Sequence, residues 1–295
     1  MPRTSALVHA RKEIQAALAK EGRRIYTHRD VADLLHRYHR VWRLPQSTTT
    51  NRFLAFLLDK HELTAHDLTA EEYGRSTTRY VFGKVSTQEL ALTLSPRAYF
   101  SHGTALVLHE LAEADETTLY LNIEQSEKKQ PGGALTQAAL DNAFKAQPRQ
   151  SKMIYTVLGS RVFQIAGKNT KQLGVEKISH ASGEMLSVTS LERSLIDAVV
   201  RPAYAGGPAV VAQAYRRAKD RVSPDKLAAM LNKLDHKYPY HQAIGFLMER
   251  TGYSKAACNK FRPKTIQHDF YLANAMPNPA YSAHWRLYYP KDLPE

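Results

Sequence analysis

The chain has 295 residues, of which 43% are hydrophobic and 23% charged. This composition predicts a globular protein of one large domain or two smaller ones and excludes a disordered chain. No apolar run reaches the roughly 18–20 residues that a membrane span needs, and the first twenty residues lack the apolar segment of a secretory signal. One cysteine, Cys258, excludes an internal disulfide framework, so we expect a cytoplasmic protein.

Positive charge is concentrated near the N-terminus. The formal net charge is +13, and residues 1–60 hold twelve Lys and Arg against five Asp and Glu. Residues 91–295 hold 26 against 18, so the much longer remainder has only a similar excess. Lys and Arg in such excess attract polyanions. The distribution favours a nucleic-acid partner for the N-terminal part, with a generic basic surface as the alternative.

The first elements are helical. Apolar residues at helical spacing predict a helix from about residue 7 that ends before Gly22. After a short extended piece, Thr27 and Asp30 have the spacing of a capping box and predict the start of a second helix. A third helix follows Pro45, with a polar first turn and an apolar body from Phe53.

A β-hairpin is predicted directly after these helices. The residues from 63 to 73 lead into a turn at 74–78 and a strand at 79–82. Three helices followed by a hairpin is the order of a winged helix-turn-helix. The predicted fold class is therefore α+β, with a winged helix-turn-helix domain at 1–90, a linker at 87–94 and a larger mixed α/β domain at 91–295.

The polar first turn of the third helix is the main candidate for reading DNA. It contains Ser47, Thr48, Thr49, Thr50, Asn51 and Arg52. Recognition helices place their N-terminal residues against base edges in the major groove. Asn can pair with adenine and Arg with guanine, and backbone N–H groups at a helix start favour phosphate. The alternative is an ordinary polar helix start after a proline.

Further cations are candidates for phosphate contacts. Arg75, Arg79 and Lys84 lie on or beside the predicted hairpin, where a wing would contact the DNA backbone; a solvated turn is the alternative. Arg29 and Arg43 are the remaining predicted DNA-binding residues. Arg43, with Arg37 and Arg40, could instead cover a partly buried Trp42.

The second domain is predicted from helix and strand patterns. A capped helix is expected at 101–111, a strand at 117–123, a Gly-rich loop at 128–133 and a hairpin around 159–160. Thr189 and Glu192 have capping-box spacing at the start of a helix 190–200, in which Arg193 and Asp197 form an exposed or partly exposed i, i+4 ion pair. The remaining expected helices are 135–144, 209–221, one that begins after Ser223 and 240–251, with a closing strand near 285–290.

No pattern in the sequence predicts a metal site, a cofactor or catalysis. The thirteen histidines lack zinc-like spacing, and His109-Glu110 does not continue as HExxH. The phosphate-loop, dinucleotide and GxSxG signatures are absent. Carboxylates near Asp220 and Asp225 are too loosely spaced for a nuclease, which nevertheless remains an alternative for the second domain.

One stretch, Val188–Asp197, reads VTSLERSLID and resembles the V-T-S-x-E-R-T-L-[IV]-D segment of AbiEi-type antitoxins, with Ser194 where Thr is commoner. Other segments of the family follow in order over roughly residues 15–290, with less specific patterns. They are 101–106 (S-x-x-S-A-L), 108–111 (H-x-L), 201–207 (P-x-x-x-G-G) and 245–249 (G-x-L-L-E).

The resemblance implies an antitoxin of an abortive-infection, phage-defence system that represses its own operon. Its implied partners are double-stranded promoter DNA and a nucleotidyltransferase-like AbiEii toxin, which a type IV antitoxin need not bind directly. A transcriptional regulator without a toxin is the alternative. The 188–197 motif itself is expected to be structural, because its apolar residues have core spacing.

Overall fold

The computed structural model describes residues 5–115, 117–127, 133–180 and 183–294. The chain is mixed α+β and divides into two compact units. The first unit comprises Met1–Leu94 with Ile154–Arg161, and the second comprises Ser95–Met153 with Val162–Glu295. Within the described part of the chain, none of the helices is both long and apolar enough to cross a bilayer.

The first unit combines short helices with four antiparallel-paired strands. Its helices are α1 (Ala6–His9), α2 (Arg11–Lys20), α3 (His28–Tyr38), α4 (Thr50–Asp59) and α5 (Thr87–Leu92). Its strands are β1 (Ile25–Tyr26), β2 (Thr64–Ala70), β3 (Arg75–Val81) and β6 (Ile154–Val157), in the order β1-β3-β2-β6.

Strand β6 joins the first unit although it lies far along the sequence. It pairs with β2 through Thr69↔Thr156 and Ala70↔Tyr155. The sequence places the boundary at residue 90 and assigns this segment to the second domain. The structure keeps 154–161 in the first unit because of the β2 pairing, which no local pattern reveals.

Residues 87–94, expected as a linker, largely form α5. The Ser86 hydroxyl accepts a hydrogen bond from the Glu89 backbone N–H at 3.1 Å, and the Glu89 carboxylate accepts from the Ser86 N–H at 3.1 Å. This capping box satisfies free N–H groups at the helix start. Leu90 and Ala91 are fully buried, so the segment contributes to the core.

The predicted hairpin has a different turn. β3 begins at Arg75 and not at Arg79, and the turn lies at residues 71–74. Gly74 has a φ of 57°, a conformation that glycine adopts without steric cost. The register Ala70↔Arg75 places the predicted turn residues 75–78 in the β3 ladder.

The second unit contains the remaining helices of the described residues and two sets of paired strands. Its helices are α6 (His102–Leu108), α7 (Gln137–Lys145), α8 (Leu191–Val200), α9 (Pro208–Ala218), α10 (Pro224–Leu234), α11 (Tyr240–Arg250), α12 (Lys255–Asn259) and the 3-10 helix Pro202–Tyr204. Five strands lie side by side, in the order β7 (Ser160–Gly167), β5 (Thr118–Glu124), β4 (Tyr99–Phe100), β9 (Met185–Thr189) and β8 (Val175–Ser179). The division between the two units falls within β7, after Arg161. β10 (Phe270–Tyr271), β12 (Leu287–Tyr289) and β11 (Ala280–Ser282) form a smaller sheet.

The core of the second unit surrounds α8, α9 and α11. Gly245 on α11 packs directly against Trp285, since a Cβ atom there would lie 2.2 Å from the indole ring. The predicted Ser223 cap is present, and α11 ends before Gly252 as expected. Most of the Gly-rich loop expected at 128–133 lies outside the described residues.

Candidate nucleic-acid interface

Helices α3 and α4 begin at capped, well-defined positions. The Thr27 hydroxyl accepts from the Asp30 N–H at 3.1 Å, and the Asp30 carboxylate accepts from the Thr27 N–H at 2.8 Å. α4 starts after Thr49, whose hydroxyl accepts from the Arg52 N–H at 3.3 Å. The predicted capping box at Thr27 is therefore confirmed, and the polar run after Pro45 contains the start of α4.

The turn between α3 and α4 is fixed by an aromatic stack. Trp42 is 4% exposed, its ring lies 5.1 Å from that of Tyr38 at the end of α3, and it lies 5.5 Å from that of Phe53 in α4. Arg43 follows with a φ of 52°, which an L-residue adopts rarely. This stack holds the two helices together and leaves the Arg43 side chain exposed.

The outer face of α4 has polar side chains in its first turn and a small side chain, Ala55, in its middle. Phe53, Leu54 and Leu57 are buried, whereas Asn51, Arg52 and Ala55 are exposed. The Asn51 side-chain oxygen lies 2.9 Å from the His28 Nε2 atom at the start of α3. Because the small Ala55 follows Asn51 by one turn, this face can approach a groove closely.

The predicted polar residues around the start of α4 differ in accessibility. Ser47 and Thr49 are exposed, and Thr50 is half-buried. Thr48 is only 8% exposed, and its N–H donates to the Pro45 carbonyl at 2.9 Å. The assignment of Thr48 to base reading is therefore wrong, because its side chain faces the protein.

Ion pairs separate two groups of cations in the first unit. Arg11, Arg23, Arg24, Arg37 and Lys60 pair with carboxylates. In the described part of the chain, no ion pair holds the side chains of Arg29, Arg43, Arg52, Arg75 and Lys84, all of which are exposed. The second group can exchange its counterions for phosphates without breaking an ion pair.

The predicted assignment of Arg79 to the wing is wrong. Its side chain is 8% exposed, with Nε donating to the Thr93 hydroxyl at 3.0 Å and a terminal nitrogen donating to the Thr93 carbonyl at 2.8 Å. Burial lowers the pKa of the Arg79 guanidinium. Arg79 thus ties β3 to the end of α5.

The tip of the hairpin is acidic. Glu71 lies in the turn, where its carboxylate accepts from the Thr156 hydroxyl at 3.1 Å and lies 3.4 Å from the Arg161 guanidinium. The predicted hairpin cations that remain accessible, Arg75 and Lys84, lie after this turn and after β3. His28 is not among the predicted site residues, although its position directly after the Thr27 cap indicates that it lies at the start of α3.

In the second unit, the 188–197 motif forms a buried polar network. Arg193 donates to Asp197 at 2.8 Å, with the two side chains only 6% and 8% exposed. Arg193 also donates to the Leu173 carbonyl at 2.8 Å. Burial raises the pKa of Asp197, against the attraction of Arg193. The expectation of an exposed or partly exposed ion pair is wrong.

The cap of α8 also differs from the prediction. Ser190, and not Thr189, is the N-cap, and its hydroxyl accepts from the Arg193 N–H at 3.4 Å. Thr189 ends β9, and its carbonyl accepts from His109 Nε2 at 2.7 Å and from the Ser194 hydroxyl at 2.9 Å. These contacts connect the two segments 101–111 and 188–197.

Two buried histidines of the second unit predict a loss of stability in acid. Burial, with the nearby charge of Arg201, lowers the pKa of His102 to about 3, and burial lowers that of His236 to about 4. Histidines of the unfolded chain have a pKa near 6.5. Each unit by which the folded pKa lies below this value corresponds to about 1.4 kcal/mol of stability per histidine. Between about pH 6.5 and pH 4, the unfolded chain therefore binds more protons than the folded chain. The stability of the fold is fully present above this range and decreases as the pH falls through it.

Urea unfolding at several pH values between 7 and 4.5 checks this prediction. His102→Asn should flatten the dependence by about one proton, and Asn tolerates the φ of 51° at this position. An identical slope in this variant and the parent would contradict the assignment of His102.

Comparison of the chain with known proteins establishes its fold class only. No protein-family model matches the chain, and no curated protein matches it significantly. Among solved structures, the chain is similar to the RV2827C protein from Mycobacterium tuberculosis, with a TM-score of 0.59, 12% sequence identity, and coverage of 95% of this chain and 91% of that chain. At this identity the likeness shows a shared fold.

Proposed function

We propose that the chain is a sequence-specific DNA-binding regulator that acts through its first unit. The observation that carries this proposal is the exposed first turn of α4, where Asn51 and Arg52 project from a helix held by the Trp42 stack. The order α2, β1, α3, α4, β2, β3 is that of a winged helix-turn-helix, with α4 as recognition helix and the β2–β3 hairpin as wing.

The charges around α4 support the same function. Arg29, Arg43 and Arg52 lie at the start of α3, in the turn and at the start of α4, and Arg75 and Lys84 belong to the wing and the loop after it. Phosphate contacts from such cations fix the position of a protein on DNA, whereas base contacts from Asn51 and Arg52 supply the sequence preference.

We further propose that the regulator is an antitoxin that represses its own operon and counters a nucleotidyltransferase-like toxin. This proposal rests on the resemblance to AbiEi-type antitoxins. One observation favours it: segments 101–111 and 188–197, both part of the resemblance, contact each other through the His109–Thr189 hydrogen bond. The motif residues form the interior of one unit, which is consistent with a structural signature of a family.

The DNA proposal is tested with duplexes from the promoter upstream of its gene. Arg52→Ala should weaken specific binding by roughly 1–3 kcal/mol and relax the preference at one base pair. Lys12→Ala, which removes an exposed cation from α2, is the matched control and should bind as the parent does. Fluorescence anisotropy on promoter and random duplexes measures both effects. Equal losses for Arg52→Ala on the two duplexes would show that α4 is not the reading helix.

The antitoxin proposal is tested by co-expression with the product of an adjacent nucleotidyltransferase-like gene. The parent chain should restore growth. Arg52→Ala should also restore growth while losing repression of a promoter fusion, because the proposed antitoxin activity belongs to the second unit. Growth arrest despite normal expression of the chain would overturn the antitoxin proposal and leave a regulator without a toxin.

A further inference from the structure

A cavity of about 590 Å³ lies wholly within the second unit. Its walls are the end of α8 with the following 3-10 turn and the start of α9, the segment 147–151, and residues 273–274. The volume is in the range of small-molecule sites, roughly 300–1,000 Å³. Neither the DNA-binding proposal nor the antitoxin motif uses this cavity.

The cavity is positively charged. Arg149 and Arg201 line it, and none of its described lining residues is Asp or Glu. Neither guanidinium has an ion-pair partner in the portion of the chain that the structure describes. A guanidinium presents a planar fork of donors that fits phosphate oxygens, so two of them at one cavity favour a phosphorylated ligand.

The start of α9 contributes to the same wall. Gly207 is its N-cap with a φ of 91°, and Pro208 is its first residue. Both line the cavity. An eleven-residue helix that starts here directs its partial positive charge toward the space that Arg149 and Arg201 also line.

The remaining lining has both apolar side chains and amides. Pro148 and Ala166 line the cavity with exposed apolar side chains, against which a planar ring can pack. The amide side chains at the cavity are Gln147, Gln150 and Asn274. Amides can donate to and accept from the edges of a nucleobase. An acyl chain would leave them without partners, so this mixture favours a base over a lipid tail.

Hydrogen bonds within the protein connect the walls of the cavity. The Ser151 N–H donates to the Tyr204 hydroxyl at 2.7 Å, and the Ser151 hydroxyl donates to the Gln164 carbonyl at 2.6 Å. The Asn274 amide donates to the Ala143 carbonyl at 3.0 Å. A cavity held in this way loses little conformational freedom when it binds.

We propose that this cavity binds a nucleoside phosphate. The phosphate lies between Arg149 and Arg201 near the start of α9, and the base lies against Pro148 and Ala166, where the amides contact its edge. Inorganic phosphate would satisfy the two arginines but leave the apolar surfaces in contact with water. The proposal is independent of DNA binding, which belongs to the first unit.

Isothermal titration calorimetry of the full chain with AMP, CMP, GMP, UMP and inorganic phosphate tests the proposal. At least one nucleotide should bind about tenfold more tightly than inorganic phosphate, because the base adds contacts of its own. The corresponding nucleoside without phosphate should bind at least about tenfold more weakly than its nucleotide, since it loses charge-assisted hydrogen bonds.

Arg149→Ala and Arg201→Ala should each weaken nucleotide binding by about tenfold or more. Both side chains are exposed, so the melting temperature should stay close to that of the parent. Arg97→Ala removes an exposed arginine elsewhere in the second unit and should leave binding unchanged. Nucleotides that bind no better than phosphate, or unchanged binding in both variants, would overturn the proposal.

Discussion

Arg193→Ala is expected to destabilise the chain by roughly 3–5 kcal/mol, because it leaves the Asp197 carboxylate buried without its cation. The pair lies inside the second unit with side chains 6% and 8% exposed. One Asp197 oxygen, Oδ2, already has no hydrogen-bond partner within the described residues. Removal of Arg193 would also leave the Leu173 carbonyl without the guanidinium donor that now lies 2.8 Å away.

Urea unfolding of the parent and the variant measures this effect. Asp197→Ala should be comparably destabilising, in contrast to the loss of at most about 1 kcal/mol expected for an exposed pair. The double variant Arg193→Met, Asp197→Leu should recover much of the loss, since well-packed apolar residues can replace a buried ion pair. Arg97→Ala serves as the exposed control. A loss below about 1 kcal/mol in Arg193→Ala would contradict the burial of the pair.

The parts of the fold that sequence could predict are those controlled by neighbouring residues. The Thr27 box, the start of α10 at Ser223 and the end of α11 before Gly252 each depend on residues within one helical turn. The mixed α+β class also follows from such local patterns. Whether the first unit binds DNA as a winged helix-turn-helix stays a prediction.

The errors share a different physical cause, which is burial by distant segments. Arg79 follows the exposed residues 75–77 along β3, and its contact with Thr93 beyond α5 is what makes it an interior residue. Arg193 and Asp197 have the i, i+4 spacing of a surface pair, yet both are buried, and the Thr170 hydroxyl and the Leu173 carbonyl of a distant segment accept from Arg193. Spacing within a helix determines which side chains meet, but not whether solvent reaches them.

The candidate cavity in the second unit could not be predicted from sequence for the same reason. Arg149 lies after α7, and Arg201 follows α8, some fifty residues later. The Ser151–Tyr204 hydrogen bond connects their segments. No local pattern indicates that these loops share a wall, so a ligand site of this kind becomes visible only in three dimensions.

Binding to promoter DNA is expected to fall about 500-fold between 50 and 200 mM salt. Five of the predicted DNA-binding residues are exposed cations that lack ion pairs in the described chain: Arg29, Arg43, Arg52, Arg75 and Lys84. If each neutralises one phosphate, the slope of log K against log[salt] is about −4.5, since each contact releases close to one counterion. Anisotropy titrations at four salt concentrations give this slope.

Two variants at the hairpin separate the cations that contact DNA from the one that holds the fold. Arg75→Ala should make the slope shallower by about one counterion, on promoter and random duplexes alike. Arg79→Ala should leave the slope unchanged and lower the melting temperature, because its guanidinium is bound to Thr93 and not to solvent. Lys12→Ala should change neither quantity. A parent slope shallower than about −2 would exclude the proposed phosphate contacts, and a shallower slope in Arg79→Ala would show that Arg79 leaves its buried position to contact DNA.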